Sequence, residues 1–144
     1  MPKNPNKIII YTDGGSRGNP GPSAIGAVIN DKTYSAFIGV GTNNEAEYQA
    51  VIFALKKAKA LYGKKVVENN EVEVRSDSEL LIKQLNGEYK VLDEKIQSLF
   101  LRVWNLKIDF GKVKFVAIPR EKNQAADKLV NEALDGSSRT QTLF

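Results

Sequence analysis

The run Ile8-Ile9-Ile10-Tyr11-Thr12 is apolar or β-branched at every position, and it passes directly into Asp13-Gly14-Gly15-Ser16-Arg17-Gly18-Asn19-Pro20-Gly21-Pro22. A strand without polar alternation is the pattern of one buried on both faces, so it belongs at the centre of a sheet with helices on each side. The acid at its mouth is poorly placed for folding. It is well placed to bind a divalent ion together with phosphate.

The rest of the chain fills in that sheet. Residues 24–29 and 33–38 flank Asn30-Asp31-Lys32, which reads as a hairpin turn. From 43 to 61 the spacing becomes helical, with Ala46, Ala50, Ala54, Leu55 and Ala58 on one face, and Gly63 stops the helix. Residues 71–76 form a strand, and 78–85 a short helix closed by Asn86-Gly87. Residues 93–106 predict a longer helix presenting Ile96, Leu99, Phe100 and Val103, with Trp104 packed in the core. A strand over 112–118 ends at Pro119, and a last helix spans 123–134. This order predicts an α/β fold: a mixed five-stranded sheet, three antiparallel strands then two parallel, with helices on both faces. One domain over residues 1–144 is expected, with 1–6 and 136–144 as loose tails, because 42% hydrophobic residues supply a sizeable single core.

Four acids stand out against this frame. Asp13 and Asp77 fall where strands end, and Glu47 and Asp127 fall in the first turns of helices, next to inward-facing residues. Each alone reads as a helix cap or a complement to a helix dipole. Together, with no arginine placed next to them in sequence, they suit a two-metal site that holds water and a phosphodiester. The chain contains neither cysteine nor histidine, so such a metal is a hard ion held by oxygen. No apolar stretch is long enough to span a membrane and the first residues lack a signal-peptide core, so a soluble cytoplasmic monomer is expected. The net charge of +4 is compatible with a polyanionic partner. Thr42-Asn43-Asn44-Glu45 is a capping box, and it also sets two amides beside Glu47 where they could meet base edges in a minor groove.

Asp13-Gly14-Gly15 with Gly18-Asn19-Pro20-Gly21, then Thr42-Asn43-Asn44-Glu45-Ala46-Glu47, Ser76-Asp77-Ser78 and Asn123-Gln124-Ala125-Ala126-Asp127 occur in an order that resembles the type 1 ribonuclease H family over residues 7–134. The resemblance implies an endonuclease that cuts the RNA strand of RNA–DNA hybrids, leaving 5′-phosphate and 3′-hydroxyl ends. It implies Asp13, Glu47, Asp77 and Asp127 as catalytic acids holding two Mg²⁺ ions, with Mn²⁺ as a substitute. Asn19, Asn43 and Asn44 match contacts to the hybrid groove, Thr42 matches a phosphate contact on the DNA strand, and Gly14 and Arg120 complete the expected substrate-binding set.

Three features depart from the pattern. Glu79 stands where many relatives have glutamine, Gly87-Glu88-Tyr89-Lys90 leads straight onward where many insert a basic protrusion, and the loop Pro119-Arg120-Glu121-Lys122 lacks the histidine often found there. These departures resemble the compact archaeal and bacterial branch. Two other readings are a 3′–5′ exonuclease, disfavoured because Asp13 is followed by glycines rather than Asp-x-Glu, and a hybrid-binding module without catalysis, which would have no use for four acids.

Overall fold

The central position expected for the first strand is where the computed structural model places it. The structure describes residues 7–143, with side chains as far as Gly136. β1 (Lys7–Ser16) is flanked by β2 (Gly21–Ile29) and β3 (Lys32–Gly41) on one side, and by β4 (Glu71–Ser76) and β5 (Lys112–Ala117) on the other, in the order β3-β2-β1-β4-β5. The first three strands are antiparallel, and β4 and β5 are parallel to β1.

One expectation about β1 needs correction. The strand does not end at Thr12: Asp13, Gly14, Gly15 and Ser16 stay paired with β2, opposite Gly26, Ile25, Ala24 and Ser23. Pairing with β4 does stop early, at Tyr11 against Arg75. Asp13 therefore sits where β1 overhangs its shorter parallel neighbour, and the glycines extend the strand because they still satisfy the ladder. Nor are the two faces of β1 equal. Ile8, Ile10 and Thr12 are buried, whereas Ile9, Tyr11 and Asp13 are only partly so.

The reason is an asymmetric helix cover. α1 (Asn43–Tyr62), α3 (Glu79–Leu85) and α4 (Glu94–Lys107) close the main core over one face with Ile8, Ile10, Ile29, Val72 and Val74, burying Tyr48, Leu55, Leu81 and Val103. α5 (Gln124–Leu143) lies against β2, β3 and β1 from the other side, where Ala24, Val130 and Leu134 form a smaller core. Over β4 and β5 that second face carries an ion ladder: Lys7 Nζ lies 3.0 Å from Glu73 Oε1, Arg75 Nε 2.5 Å from Glu73 Oε2, and Lys114 Nζ 3.6 Å from Glu71 Oε1. Lys7 and Arg75 together hold the Glu73 carboxyl below its ordinary range.

Local chemistry sets the element ends. Thr42 caps α1 with both halves of the capping box formed: Glu45 N–H donates to Thr42 Oγ1 at 3.1 Å, and Thr42 N–H to Glu45 Oε1 at 3.2 Å. The hairpin turn is tighter than Asn30-Asp31-Lys32, since Lys32 already pairs with Ile29. Asn30 takes a positive φ of 53°, the conformation that lets a two-residue turn match strand twist. Gly63 ends α1, but the chain at once makes a further turn, α2 (Lys64–Glu68), which buries Val67. Five residues are too few to show a helical period.

α5 also outruns its expected end, continuing through Gly136 to Leu143 where a loose tail was expected. Once a helix is nucleated each added residue gains a hydrogen bond, so one glycine costing ~1 kcal/mol does not stop it. Residues 1–6 lie outside the described residues. Trp104 is not in the core: it is 39% exposed, stacked against Phe100 with Lys107 over its ring. No described helix is long and apolar enough to cross a membrane.

Candidate active site

Each of the four acids is delivered by a different element. Asp13 lies on the β1 overhang, Asp77 follows the last residue of β4, Glu47 comes from α1 and Asp127 from the first turn of α5. Glu47 is one turn deeper than expected, because the acid in the first turn of α1 is Glu45, which the capping box uses. Charge–dipole complementarity falls off within a turn, so it explains Glu45 better than Glu47.

Asp13, Glu47 and Asp77 each place one carboxylate oxygen within 4.8 Å of the others. Asp127 stands outside this trio, in hydrogen-bond contact with the Asp13 carboxyl. None of the nine ion pairs among the described residues engages any of the four. Burial, reinforced by the charges of Asp77, Asp127 and Glu47, pushes the Asp13 carboxyl up to about 8. Burial likewise raises Glu47 to about 7, and a hydrogen bond from Ser78 partly offsets it. Asp77 is raised by burial too, with the Arg120 guanidinium pulling the other way. Carboxyls raised by burial and by one another's charge are acids short of a cation.

The cluster opens into a cavity of about 350 Å³ whose cations are Arg17 and Arg120. Arg17 is tied across it to Asp135 of α5, Nη2 to Oδ1 at 2.6 Å. Gly14 and Asn43 also line the cavity. Asn19 and Asn43 lock the β1–β2 loop to the start of α1: Asn43 N–H donates to Asn19 Oδ1 at 3.0 Å, and Ser16 N–H to Asn43 Oδ1 at 2.9 Å. Each amide oxygen thus accepts a bond that serves the fold. Asn44 keeps a buried Oδ1 without a partner. Glu79 is exposed and held by Lys83 at 2.8 Å.

Two supporting residues carried no visible signal of their role. Asn123, 1% exposed, donates from Nδ2 to the Thr12 carbonyl at 2.9 Å, and its backbone carbonyl accepts the Asp127 N–H at 3.1 Å. One residue therefore joins the Asp13 strand to the Asp127 helix, its side chain bonding across 111 positions of sequence and its backbone starting α5. Ser78 caps α3 through Leu81 N–H at 3.2 Å while reaching Glu47. A Ser after a strand-end acid is a cap signal, and its second partner is legible only in three dimensions.

Comparison with known proteins finds relatives of this chain. A family profile described as "Reverse transcriptase-like" matches residues 11–133. Ribonuclease HI of Halobacterium salinarum is 39% identical over 141 residues, covering 94% of this chain and 68% of that protein. The bifunctional protein Rv2228c of Mycobacterium tuberculosis is 35% identical over 141 residues, and the match spans only 37% of its length. Among solved structures, LC11-RNase H1 in complex with an RNA/DNA hybrid superposes with a TM-score of 0.86 at 49% identity, covering 90% of this chain and 98% of that one.

Proposed function

The chain belongs to the type 1 ribonuclease H family, and from that premise we propose that it hydrolyses the RNA strand of RNA–DNA hybrids endonucleolytically, using Asp13, Glu47, Asp77 and Asp127 with Mg²⁺. The observation that carries this reading is the convergence of three carboxylates, none in an ion pair among the described residues, in an open cavity of a chain that offers no nitrogen or sulfur ligand of the zinc type. An all-oxygen set suits Mg²⁺, with Mn²⁺ as a substitute. Such ions, when bound, polarise the scissile phosphate and activate water.

The chain's own groups supply the rest. Asp13, Glu47 and Asp77 would hold the ions as an inner trio, and Asp127, against Asp13, would complete the metal-binding set while also being placed to orient water or accept a proton. Without histidine, no side chain of ordinary pKa near neutrality is present, so protons released in the cavity pass to carboxylates. Arg120 offers a permanent charge to a phosphate oxygen. All four acids come from one chain, which supports a monomer as the working unit.

Discrimination follows from the amides. Asn19 and Asn43 carry NH₂ donors that suit acceptor atoms of the minor groove and the 2′-hydroxyl oxygen of RNA. Thr42 Oγ accepts the Glu45 N–H and keeps its own proton for a DNA-strand phosphate. Asn44→Ala is expected to lower kcat/KM on hybrids by ~1–3 kcal/mol, the worth of one bidentate contact. Steady-state kinetics equal to wild type would assign Asn44 to the helix start alone. The reading as a whole is tested by offering equal lengths of hybrid, duplex DNA and single-stranded RNA with Mg²⁺: the hybrid should be cut, and cutting of duplex DNA would exclude it.

A further inference from the structure

Asp13 is bordered by two glycines whose absent side chains are replaced by helix backbone. Gly26 lies directly across the β1–β2 pair from Asp13, and a Cβ there would stand 2.4 Å from the Ala126 carbonyl oxygen and 3.2 Å from the Val130 nitrogen. Gly14 follows Asp13, and its Cβ would stand 2.2 Å from the Ala46 carbonyl oxygen and 2.5 Å from the Glu47 nitrogen. Ordinary C···O contacts begin at ~3.3 Å, so neither position admits a side chain without moving a helix. At Gly15, between these sites, a Cβ would meet only Val130 Cγ1 at 3.4 Å.

Backbone freedom does not account for these glycines. Gly18, Gly39, Gly63 and Gly87 have positive φ, and Gly14 and Gly26 do not. What they share is the peptide they seat. Ala46 leads into Glu47 and Ala126 leads into Asp127, the two acids delivered by helices, and the glycines receive them on opposite faces of the sheet.

Resting on the reading that the four acids bind metal, we propose that Gly14 and Gly26 are positioning residues that set how deeply α1 and α5 seat, and thereby how close Glu47 and Asp127 come to Asp13. Gly26→Ala must push the start of α5 outward by roughly 1 Å, a misplacement that costs ~100-fold in turnover. The hybrid KM should stay near wild type, because the groove amides sit at the other helix. Mg²⁺ affinity, measured by calorimetry without nucleic acid, should weaken ~10-fold, the scale seen when groups supporting metal ligands are altered. Gly14→Ala should do the same to Mg²⁺ affinity through Glu47.

The discriminating arm is rescue. Asp127→Glu lengthens the acid by one methylene, so it should restore at least ~10-fold of the turnover lost in Gly26→Ala, since a near-attack geometry is regained. It should restore nothing in Gly14→Ala. Gly136→Ala, whose Cβ enters open space, should leave both readouts unchanged. Wild-type Mg²⁺ affinity in both folded glycine variants overturns the proposal, as does an Asp127→Glu change that rescues both variants or neither. If Gly26→Ala does not fold, Gly14→Ala supplies the Mg²⁺ reading from the other face. Because that reading needs no hybrid, it stands even if the protein proves not to cut hybrids.

Discussion

Asp13→Asn should reduce hybrid cleavage to below about one-hundredth of wild type while making the metal-free protein more stable, given that metal chemistry supplies several kcal/mol and each 1.36 kcal/mol is tenfold in rate. Asp13 is the acid that feels all the others: Asp77, Asp127 and Glu47 each raise its carboxyl, on top of burial. Removing its charge therefore takes a ligand from the trio and relieves three repulsions at once. With its carboxyl held at about 8, ionising Asp13 at alkaline pH opposes folding. The neutral amide escapes that cost, so the variant should gain up to ~6 kcal/mol near pH 9 without metal, the rise from 3.8 to about 8 being worth about 1.36 kcal/mol per pKa unit. Denaturation with urea at pH 9 in EDTA checks the stability half. A variant that loses activity and stability together would be a folding defect, not the loss of a ligand.

The metal-free protein should also melt at progressively lower temperature as pH rises from 5 to 9, and Mg²⁺ should abolish most of that decline. Asp13 at about 8 and Glu47 at about 7 lie above their ordinary values of 3.8 and 4.5. Between those limits the folded state holds protons that the unfolded chain has released, so the stability they contribute is complete at the acid end and is lost as pH climbs through 7 and 8. Glu73 works in the opposite sense, but its carboxyl is lowered from 4.5 and so titrates below this window. A fall of ~10 °C is expected, at a few degrees per kcal/mol for a domain of this size. Ions bound only by the folded state should restore it by mass action. A flat melting curve over pH 5–9 in EDTA would show that the carboxylates do not repel one another as described.

How much of this was legible in the sequence depends on the range of each interaction. The mixed sheet and its central first strand followed from periodicity, and the convergence of Asp13 and Asp77 followed from their positions at strand ends, whereas Glu47 joins them from one turn inside α1. What failed was local and competitive. The glycines after Asp13 read as a loop, but β2 offered them partners and the strand ran on. The Gly136 region read as a tail because its composition opposes helix, yet α5 was already nucleated and Asp135 is tied to Arg17. Trp104 read as core because helical spacing does not say which face meets the sheet. The braces of the site, Asn123 to Thr12 and Gly26 under Ala126, join residues about a hundred positions apart, and no window of sequence contains both members.

The most direct measurement is to incubate the protein with an RNA–DNA hybrid labelled separately on each strand, in Mg²⁺ and in EDTA, and to type the new ends enzymatically. The account expects internal cuts in the RNA strand alone, 5′-phosphate and 3′-hydroxyl termini, and no cleavage in EDTA. Cleavage of the DNA strand, cyclic or 3′-phosphate ends, or unchanged cutting in EDTA would contradict it.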